Sequence, residues 1–157
     1  EAFGMRVLVW GSEESRHKAS ADGFRAATTQ RELFAESDVL SLNLRLSEST
    51  RHGVKYEDLS LMKQDSLIVN TSRAELIAPG ALEAALRAGR PGAAALDVFE
   101  VEPLPVNASL LQLDNVLATP HIGFVETDSY ERYFRPAFEA IIDKLHGRAV
   151  NNIAQAR

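Results

Sequence analysis

Residues 66–73 read S-L-I-V-N-T-S-R, a short apolar run that is followed directly by polar residues. A run of this length that contains Ile and Val favours a buried β-strand over a helix, because helices require a longer periodic pattern. The change in character after Val69 predicts that the strand ends near that residue. The polar residues, Arg73 included, then form the loop that follows the strand.

Four other short apolar runs occur along the chain, at residues 5–10 (M-R-V-L-V-W), 39–44 (V-L-S-L-N-L), 92–99 (G-A-A-A-L-D-V-F) and 115–119 (N-V-L-A-T). None of them alternates strictly between apolar and polar residues, which predicts strands that are buried on both faces. Helical patterns separate the runs and indicate crossover connections. The sequence therefore predicts a parallel sheet in an α/β fold.

Helical patterns lie between these runs and after the last of them. Residues 79–86 predict a helix with Pro79 in its first turn and Gly89 at the left-handed position that follows its end. At residues 130–145 apolar side chains recur at three- and four-residue steps, which predicts a long amphipathic helix. We expect a kink or a restart of that helix at Pro136.

Weaker patterns complete the predicted order of elements. They favour two more helices, at residues 30–36 and 56–62. Residues 12–30 are polar and show the least periodicity, so we expect them to form the most mobile surface segment of the chain.

Composition excludes several classes of function. Of the 157 residues, 45% are hydrophobic and 25% are charged, as in soluble globular proteins, and the length suits one domain. The net charge is −5 without a basic tract, which argues against nucleic-acid binding. With no cysteine, disulfides, thiolate catalysis and Cys-ligated zinc are excluded, and we predict no metal site. Because no apolar run spans a bilayer and no signal pattern is visible, we expect a cytoplasmic protein without membrane contact.

Three polar residues that follow different predicted strands combine into a plausible site. Ligands of open parallel sheets bind beyond the carboxyl ends of the strands, so Arg73, Glu102 and His121 should open onto one edge. Arg73 suits a carboxylate or phosphate, His121 suits proton transfer, and a carboxylate beside imidazole favours its charged form. This set suits the reduction of a 2-keto acid by an external hydride source.

Each of these residues also has a simpler interpretation when it is taken alone. Arg73 can be a surface arginine that pairs with Glu75, Glu102 can be a solvated loop charge, and His121 can be a structural histidine. Asp97 interrupts an apolar run, so its carboxylate requires a hydrogen-bond partner, and a turn-stabilising role would satisfy it.

The order of these motifs resembles one enzyme family. The D-isomer-specific 2-hydroxyacid dehydrogenases, which include phosphoglycerate dehydrogenase-like enzymes and glyoxylate/hydroxypyruvate reductases, are similar over nearly the whole chain. The resemblance is carried by G-M-R-V-L-V-W at residues 4–10, S-D-V-L-S-L at 37–42, L-I-V-N-T-S-R at 67–73, A-L-D-V-F at 95–99 with Glu102-Pro103, and L-A-T-P-H-I-G at 117–123.

The resemblance implies a Rossmann-like nucleotide-binding domain, NAD or NADP as cofactor, a small 2-keto or 2-hydroxy acid as substrate, and a homodimer. By motif, Arg73 would bind the substrate carboxylate, His121 would be the proton donor in reduction, and Glu102 would pair with His121. The positions that match cofactor contacts of the family are Gly11, Leu44, Thr71, Ser72, Arg73, Asp97, His121 and Gly123.

The chain departs from the family at two places. The G-x-G-x-x-G fingerprint that cradles the pyrophosphate would lie just upstream of Glu1. We therefore expect residues 1–147 to be a partial dinucleotide-binding domain without its first strand–helix unit, and residues 148–157 to be a tail returning toward a substrate domain that is absent here.

The second departure concerns the choice of cofactor. NAD-specific members carry an Asp after the strand that ends at Trp10, where this sequence has Gly11 and Ser12. Loss of that acid removes a repulsion against a 2′-phosphate. Possible donors to such a phosphate are Ser12, Arg16, His17 and Lys18, whereas Glu13 and Glu14 oppose it and a solvated loop is the alternative. The sequence leaves NAD and NADP open.

Two other functional classes remain open. The fold also serves in transcriptional corepressors that resemble these dehydrogenases and retain the three catalytic residues, so a non-catalytic cofactor-sensing or dimerisation module is an alternative. An inactive fragment is the third.

Overall fold

A computed structural model describes residues 3–149. The chain divides into two compact units, with the boundary between His121 and Ile122. The predicted domain boundary at residue 147 stays a prediction, and residues 150–157 of the predicted tail lie outside the described residues.

Six parallel strands form the first unit's two sheets. Strands β1 and β2 make a two-stranded sheet, and β3, β4, β5 and β6 make a four-stranded sheet in that order. The strands are β1 Leu8–Val9, β2 Arg25–Ala26, β3 Val39–Leu42, β4 Leu67–Asn70, β5 Ala93–Leu96 and β6 Val116–Ala118. The predicted parallel α/β fold is confirmed, with a strand at each of the five predicted runs.

Five α-helices connect or follow the strands. They are α1 Glu13–Ala21, α2 Gln30–Glu36, α3 Tyr56–Leu59, α4 Ala81–Arg87 and α5 Thr127–Leu145, with short 3₁₀ turns at Ala74–Leu76 and Ser109–Gln112. Side-chain caps fix two of the starts, because Ser12 Oγ accepts from Ser15 N and Thr29 Oγ1 accepts from Glu32 N.

The core lies on one face of the four-stranded sheet. Leu40, Ile68 and Ala94 point into it, and helices α2 to α4 cover it. The main helix and turn side chains in this cluster are Phe34, Leu59, Met62, Leu76, Ala85 and Leu86. On the opposite face Val39 is 53% and Leu117 is 67% exposed. Burial on both faces was therefore predicted wrongly for the residues described, because α2 to α4 all pack on the same side.

Three local predictions also require correction. Residues 12–30 contain α1 and β2, not only irregular chain. The helix escaped detection because only Ala19 of it is buried, so no amphipathic pattern marks it. Pro79 precedes the Gly80 cap of α4 and lies outside the first turn. Helix α5 continues through Pro136, so the expected restart does not occur there, whereas the expected kink stays a prediction.

Glycine permits two features of this fold. Gly89 has φ +80°, the left-handed conformation predicted after α4. A β-carbon on Gly92 would lie 1.9 Å from the carbonyl oxygen of Gln64, so only glycine allows β5 to begin against that backbone.

The second unit contains α5. Its apolar side chains are exposed, with Phe134 at 51%, Phe138 at 60% and Ile141 at 56%. Within the part of the chain that the structure describes, no helix is long and apolar enough to cross a membrane.

Candidate active site

A cleft of about 240 Å³ lies at the carboxyl edge of the four-stranded sheet, where the loops after β4, β5 and β6 meet. Arg73, Glu102 and His121 all line this cleft. The remaining residues that line it are Ala74, Glu75, Val98, Phe99 and Glu100. The three candidate catalytic residues are thus brought together at one edge, as their positions after three strands of one sheet predict.

Glu102 and His121 form the central contact of the cleft. His121 Nδ1 lies 2.7 Å from Glu102 Oε2, and the backbone N–H of Phe99 donates to Glu102 Oε1 over 2.9 Å. The contact with His121, followed by the Phe99 hydrogen bond, lowers the pKa of the Glu102 carboxyl. Glu102 is therefore held as a carboxylate that orients the imidazole of His121 through Nδ1.

The backbone at His121 adopts an uncommon conformation. Its φ is +54°, in the left-handed region, which costs about 1–2 kcal/mol for a residue with a β-carbon. The His121 N–H donates to the carbonyl of Thr119 over 3.0 Å and holds this turn directly after β6. Backbone strain of this kind concentrates at functional sites, where the surrounding structure holds it in place.

Asn70 organises the loop that carries Arg73. This side chain at the end of β4 is 1% exposed. Its Nδ2 donates to the carbonyl of Arg73 over 2.9 Å, and its Oδ1 accepts from the N–H of Ser72 over 3.1 Å. Arg73 Nη1 donates to the Ser72 carbonyl, so the guanidinium group is also held in place. The four residues N-T-S-R therefore form a closed turn that presents Arg73 to the cleft.

Three other predicted cofactor contacts lie in the loops that follow β3, β4 and β5. Ser72 Oγ donates to the carbonyl of Leu44 over 3.0 Å, which joins the loops after β3 and β4. Asp97 is 4% exposed, and Thr119 Oγ1 donates to its Oδ1 over 2.5 Å, which joins the loops after β5 and β6. The Thr119 hydrogen bond gives the Asp97 carboxylate the partner that the sequence left open.

Of the eight predicted cofactor contacts, Arg73 and His121 line the cleft and the other six do not. Gly11 follows β1 in the other sheet, and Gly123 lies in the second unit. Both assignments stay predictions.

The end of β1 carries a cation of its own. The guanidinium of Arg16 on α1 lies over the indole of Trp10, with 4.5 Å from Cζ to the ring centroid. Its Nε is buried and has no hydrogen-bond partner in the part of the chain that is described. A buried donor of this kind normally has a partner, so it fits a ligand that brings an acceptor to this place.

Sequence reasoning missed the residues that support the site. Asn70, Phe99 and Thr119 hold Arg73, Glu102 and Asp97 through hydrogen bonds. Asn70 carried a signal, because Asn directly after a strand commonly hydrogen-bonds the backbone two residues on. The Phe99 N–H carried none, because backbone donors are invisible in a sequence.

The cleft contains more negatively than positively charged side chains. Arg73 is the single Lys or Arg that lines it, beside the carboxylates of Glu75, Glu100 and Glu102. Arg51 lies 4.0 Å from Glu75, so the alternative pairing of Glu75 with Arg73 is not the one observed in the described residues. Over residues 3–149, His, Asp and Glu side chains form no group that suits a metal ion.

A larger cavity of about 350 Å³ adjoins the cleft across Val98, Phe99 and Glu100. Its lining is mainly apolar, with Leu82 and Leu104 among its residues. We place the active site in the smaller cleft, because that is where acid, base and cation meet.

Comparison with solved structures identifies similar folds. A putative D-3-phosphoglycerate dehydrogenase oxidoreductase from Ralstonia solanacearum is 52% identical, with a TM-score of 0.88, over 94% of this chain and 43% of that one. A D-isomer specific 2-hydroxyacid dehydrogenase from Xanthobacter autotrophicus Py2, solved with NADPH and MES, is 29% identical, with a TM-score of 0.66, over 95% of this chain and 60% of that one.

Curated relatives are similar along the whole chain. Glyoxylate/hydroxypyruvate reductase B of Erwinia tasmaniensis is 37% identical over 99% of this chain and 48% of its own length. Glyoxylate reductase of Aeropyrum pernix is 36% identical over 98% of this chain and 45% of its own length. The chain thus spans about half the length of these relatives. Residues 1–123 match the family described as D-isomer specific 2-hydroxyacid dehydrogenase, NAD binding domain, and the chain belongs to that family.

Proposed function

We propose that the protein is an NAD(P)-dependent oxidoreductase that interconverts a 2-keto acid and a D-2-hydroxy acid. The observation that carries the proposal is the cleft in which Arg73, Glu102 and His121 meet. Family membership supports it, as do the reductase and dehydrogenase names of the relatives.

In the proposed reaction, each of the three residues has one task. Arg73 binds the substrate carboxylate through paired hydrogen bonds, which fixes the neighbouring carbonyl in the cleft. His121 gives the proton on Nε2 to the carbonyl oxygen as the bond order falls, and takes it back in the oxidation. Glu102 holds Nδ1 of the ring and stabilises its charged form. A bound nicotinamide cofactor would supply the hydride for this reduction.

The cofactor would be held by the loops at the carboxyl edge of both sheets. We assign Asp97 to its nicotinamide end and Leu44 to its adenosine side, with Thr71 and Ser72 lining the cofactor. Gly11 would lie near the adenosine ribose. Support comes from the contacts that join these loops, Ser72 to Leu44 and Thr119 to Asp97, because they fix the loop positions before a ligand arrives.

We also propose that the substrate carries no phosphate. Arg73 can neutralise one carboxylate, and the three glutamates around it would repel a second, doubly charged group. Glyoxylate and hydroxypyruvate fit this requirement, and curated relatives are named for them. A phosphorylated keto acid would bind more weakly.

As the protein partner we propose a second copy of the chain. The exposed apolar side chains of α5 support an association, since a patch of this kind on a monomer is a liability in water. Light scattering at two concentrations would give twice the monomer mass if the proposal holds.

The test is turnover by the full-length protein with glyoxylate and with hydroxypyruvate, each with NADH and NADPH. Oxidation of the reduced cofactor at 340 nm that depends on the keto acid would support the proposal. A protein that binds a cofactor but turns over neither keto acid would be the cofactor-sensing module. A protein that binds neither NADH nor NADPH would be the inactive form. Phosphohydroxypyruvate in the same assay tests the substrate class.

A further inference from the structure

We propose that Arg16, held against the indole of Trp10, selects a nicotinamide cofactor that carries a 2′-phosphate over one that does not. The inference rests on the proposed function, since it concerns the same cofactor. It decides the choice between NADP and NAD that the sequence leaves open.

The position of Arg16 is set by the turn that joins β1 to α1. Trp10 and Gly11 directly follow the last residue of β1, and Ser12 caps α1 through the N–H of Ser15. Arg16 lies one turn into α1, and its guanidinium returns to the end of the strand, over the Trp10 ring. In dinucleotide-binding folds this turn meets the adenosine ribose, where an acid marks NAD and an arginine accommodates the 2′-phosphate.

Other arginines of the first unit make different contacts. Arg25 is bound by Glu32 and Glu36, and Arg87 by Glu83. Arg16 is instead fixed by a ring, and in the described part of the chain its buried Nε has no acceptor. A cation that is positioned without a carboxylate keeps its hydrogen-bonding capacity for a ligand.

The chemistry of this contact favours a phosphate dianion. A guanidinium matches phosphate oxygens with paired donors, and stacking on Trp restricts its motion before binding. Gly11 brings no carboxylate to the position where one would repel that phosphate.

The two acids that oppose the inference lie on the same helix. Glu13 lies 3.7 Å from His17, and its side chain is largely exposed, so water and salt screen its charge. Glu14 is exposed to solvent, where water and salt screen it. Neither of them forms an ion pair with Arg16 in the described structure.

The decisive experiment measures cofactor affinity, not turnover. Isothermal titration of the full-length protein gives Kd for NADPH, NADH and the fragment 2′,5′-ADP. We expect NADPH to bind at least about tenfold more tightly than NADH, since a hydrogen bond to a charged group is a strong one. Arg16→Ala should weaken NADPH and 2′,5′-ADP by about tenfold or more and leave NADH within about twofold.

The matched control is Lys18→Ala, which removes a cation of the same helix that does not stack on Trp10. It should leave the ratio of the two affinities within about twofold, because its charge is screened. An equal effect of Arg16→Ala and Lys18→Ala would overturn the inference, since it would show a diffuse positive field in place of a site.

A second variant tests the role of the 2′-phosphate by adding a carboxylate beside Arg16. Gly11→Asp restores an acid at the end of β1, where the new β-carbon would lie 3.3 Å from Ser15 Cβ, so Ser15 must shift by a few tenths of an ångström. We expect this variant to weaken the binding of NADPH more than the binding of NADH. Failure of the inference and failure of the proposed function are distinguishable. Equal affinity for both cofactors overturns the first alone, whereas binding of neither overturns both.

Discussion

The two ends of the candidate cofactor site are built in different ways. At the edge formed by β4 to β6, polar side chains are tied to one another or to backbone, as Glu102 is by His121 and Phe99. At the end of β1, Arg16 is positioned by an aromatic ring and its Nε has no acceptor in the described residues. The first arrangement is complete without a ligand, and the second, in our proposal, would be completed by one.

This difference separates two kinds of consequence. Groups that are already oriented contribute most to the chemical step, because no reorganisation is needed when charge develops. Groups that await an acceptor contribute to affinity and choice of ligand. Variants at the β4–β6 edge should therefore change the rate, and variants at the end of β1 should change cofactor binding.

The largest expected effect follows from His121→Asn. It removes the proton donor, so kcat for keto-acid reduction should fall by a factor on the order of 10³ or more. Cofactor Kd should stay within about twofold, because Asn keeps a polar side chain of similar size. Stopped-flow reduction and cofactor titration measure the two quantities, and a kcat within about tenfold of the parent would remove His121 from the mechanism.

Arg73→Lys should have the next largest effect. Lysine keeps the charge but cannot form the paired hydrogen bonds with a carboxylate, so kcat/KM for the keto acid should fall by about a hundredfold. Arg51→Lys is the matched control, since Arg51 pairs with Glu75 from outside the cleft. If both variants lose the same activity, the simpler interpretation of Arg73 as a surface arginine regains support.

Glu102→Gln should change the pH dependence more than the maximal rate. The carboxylate pairs with the ring of His121, so its replacement by an amide should lower activity most at the alkaline side of the pH–rate profile. Contact with His121 and then Phe99 lowers the pKa of Glu102, so the pair persists below the usual carboxyl range and is lost only as pH falls further.

The matched control for this variant is Glu100→Gln, which removes a neighbouring carboxylate that lines the same cleft. A profile that shifts equally in both variants would indicate a general field, not the specific pair.

The sequence was informative where the type of a residue and its neighbours along the chain indicate its place in the fold. Short apolar runs marked five strands, and the polar residues after three of them marked Arg73, Glu102 and His121. It was uninformative where structure depends on backbone groups, as at the Phe99 N–H that holds Glu102. It was also uninformative at α1, because only the Ala19 side chain of that helix is buried. The one-sided core was also unforeseen, because apolar runs do not reveal which face the helices cover.

Asn70→Ala tests whether the loop that carries Arg73 is preorganised. The variant leaves the Ser72 N–H and the Arg73 carbonyl without their partner, which should lower the free energy of unfolding by about 1–3 kcal/mol. If Asn70 positions Arg73, KM for the keto acid should also rise several-fold. Asn115→Ala, which removes a similar bond to the Gly92 carbonyl, should lower stability alone.

The smallest expected effect concerns Ser12, and it limits the inference drawn for Arg16. Ser12 Oγ already accepts from the N–H of Ser15, so its first role is to cap α1. Ser12→Ala should cost about 1 kcal/mol of stability, as should Thr29→Ala at the equivalent position of α2. If capping is the whole role of Ser12, NADPH affinity changes by less than about twofold in both variants. A selective loss in Ser12→Ala would instead mean that the hydroxyl donates to the ligand beside Arg16, and the phosphate contact would then be shared between them.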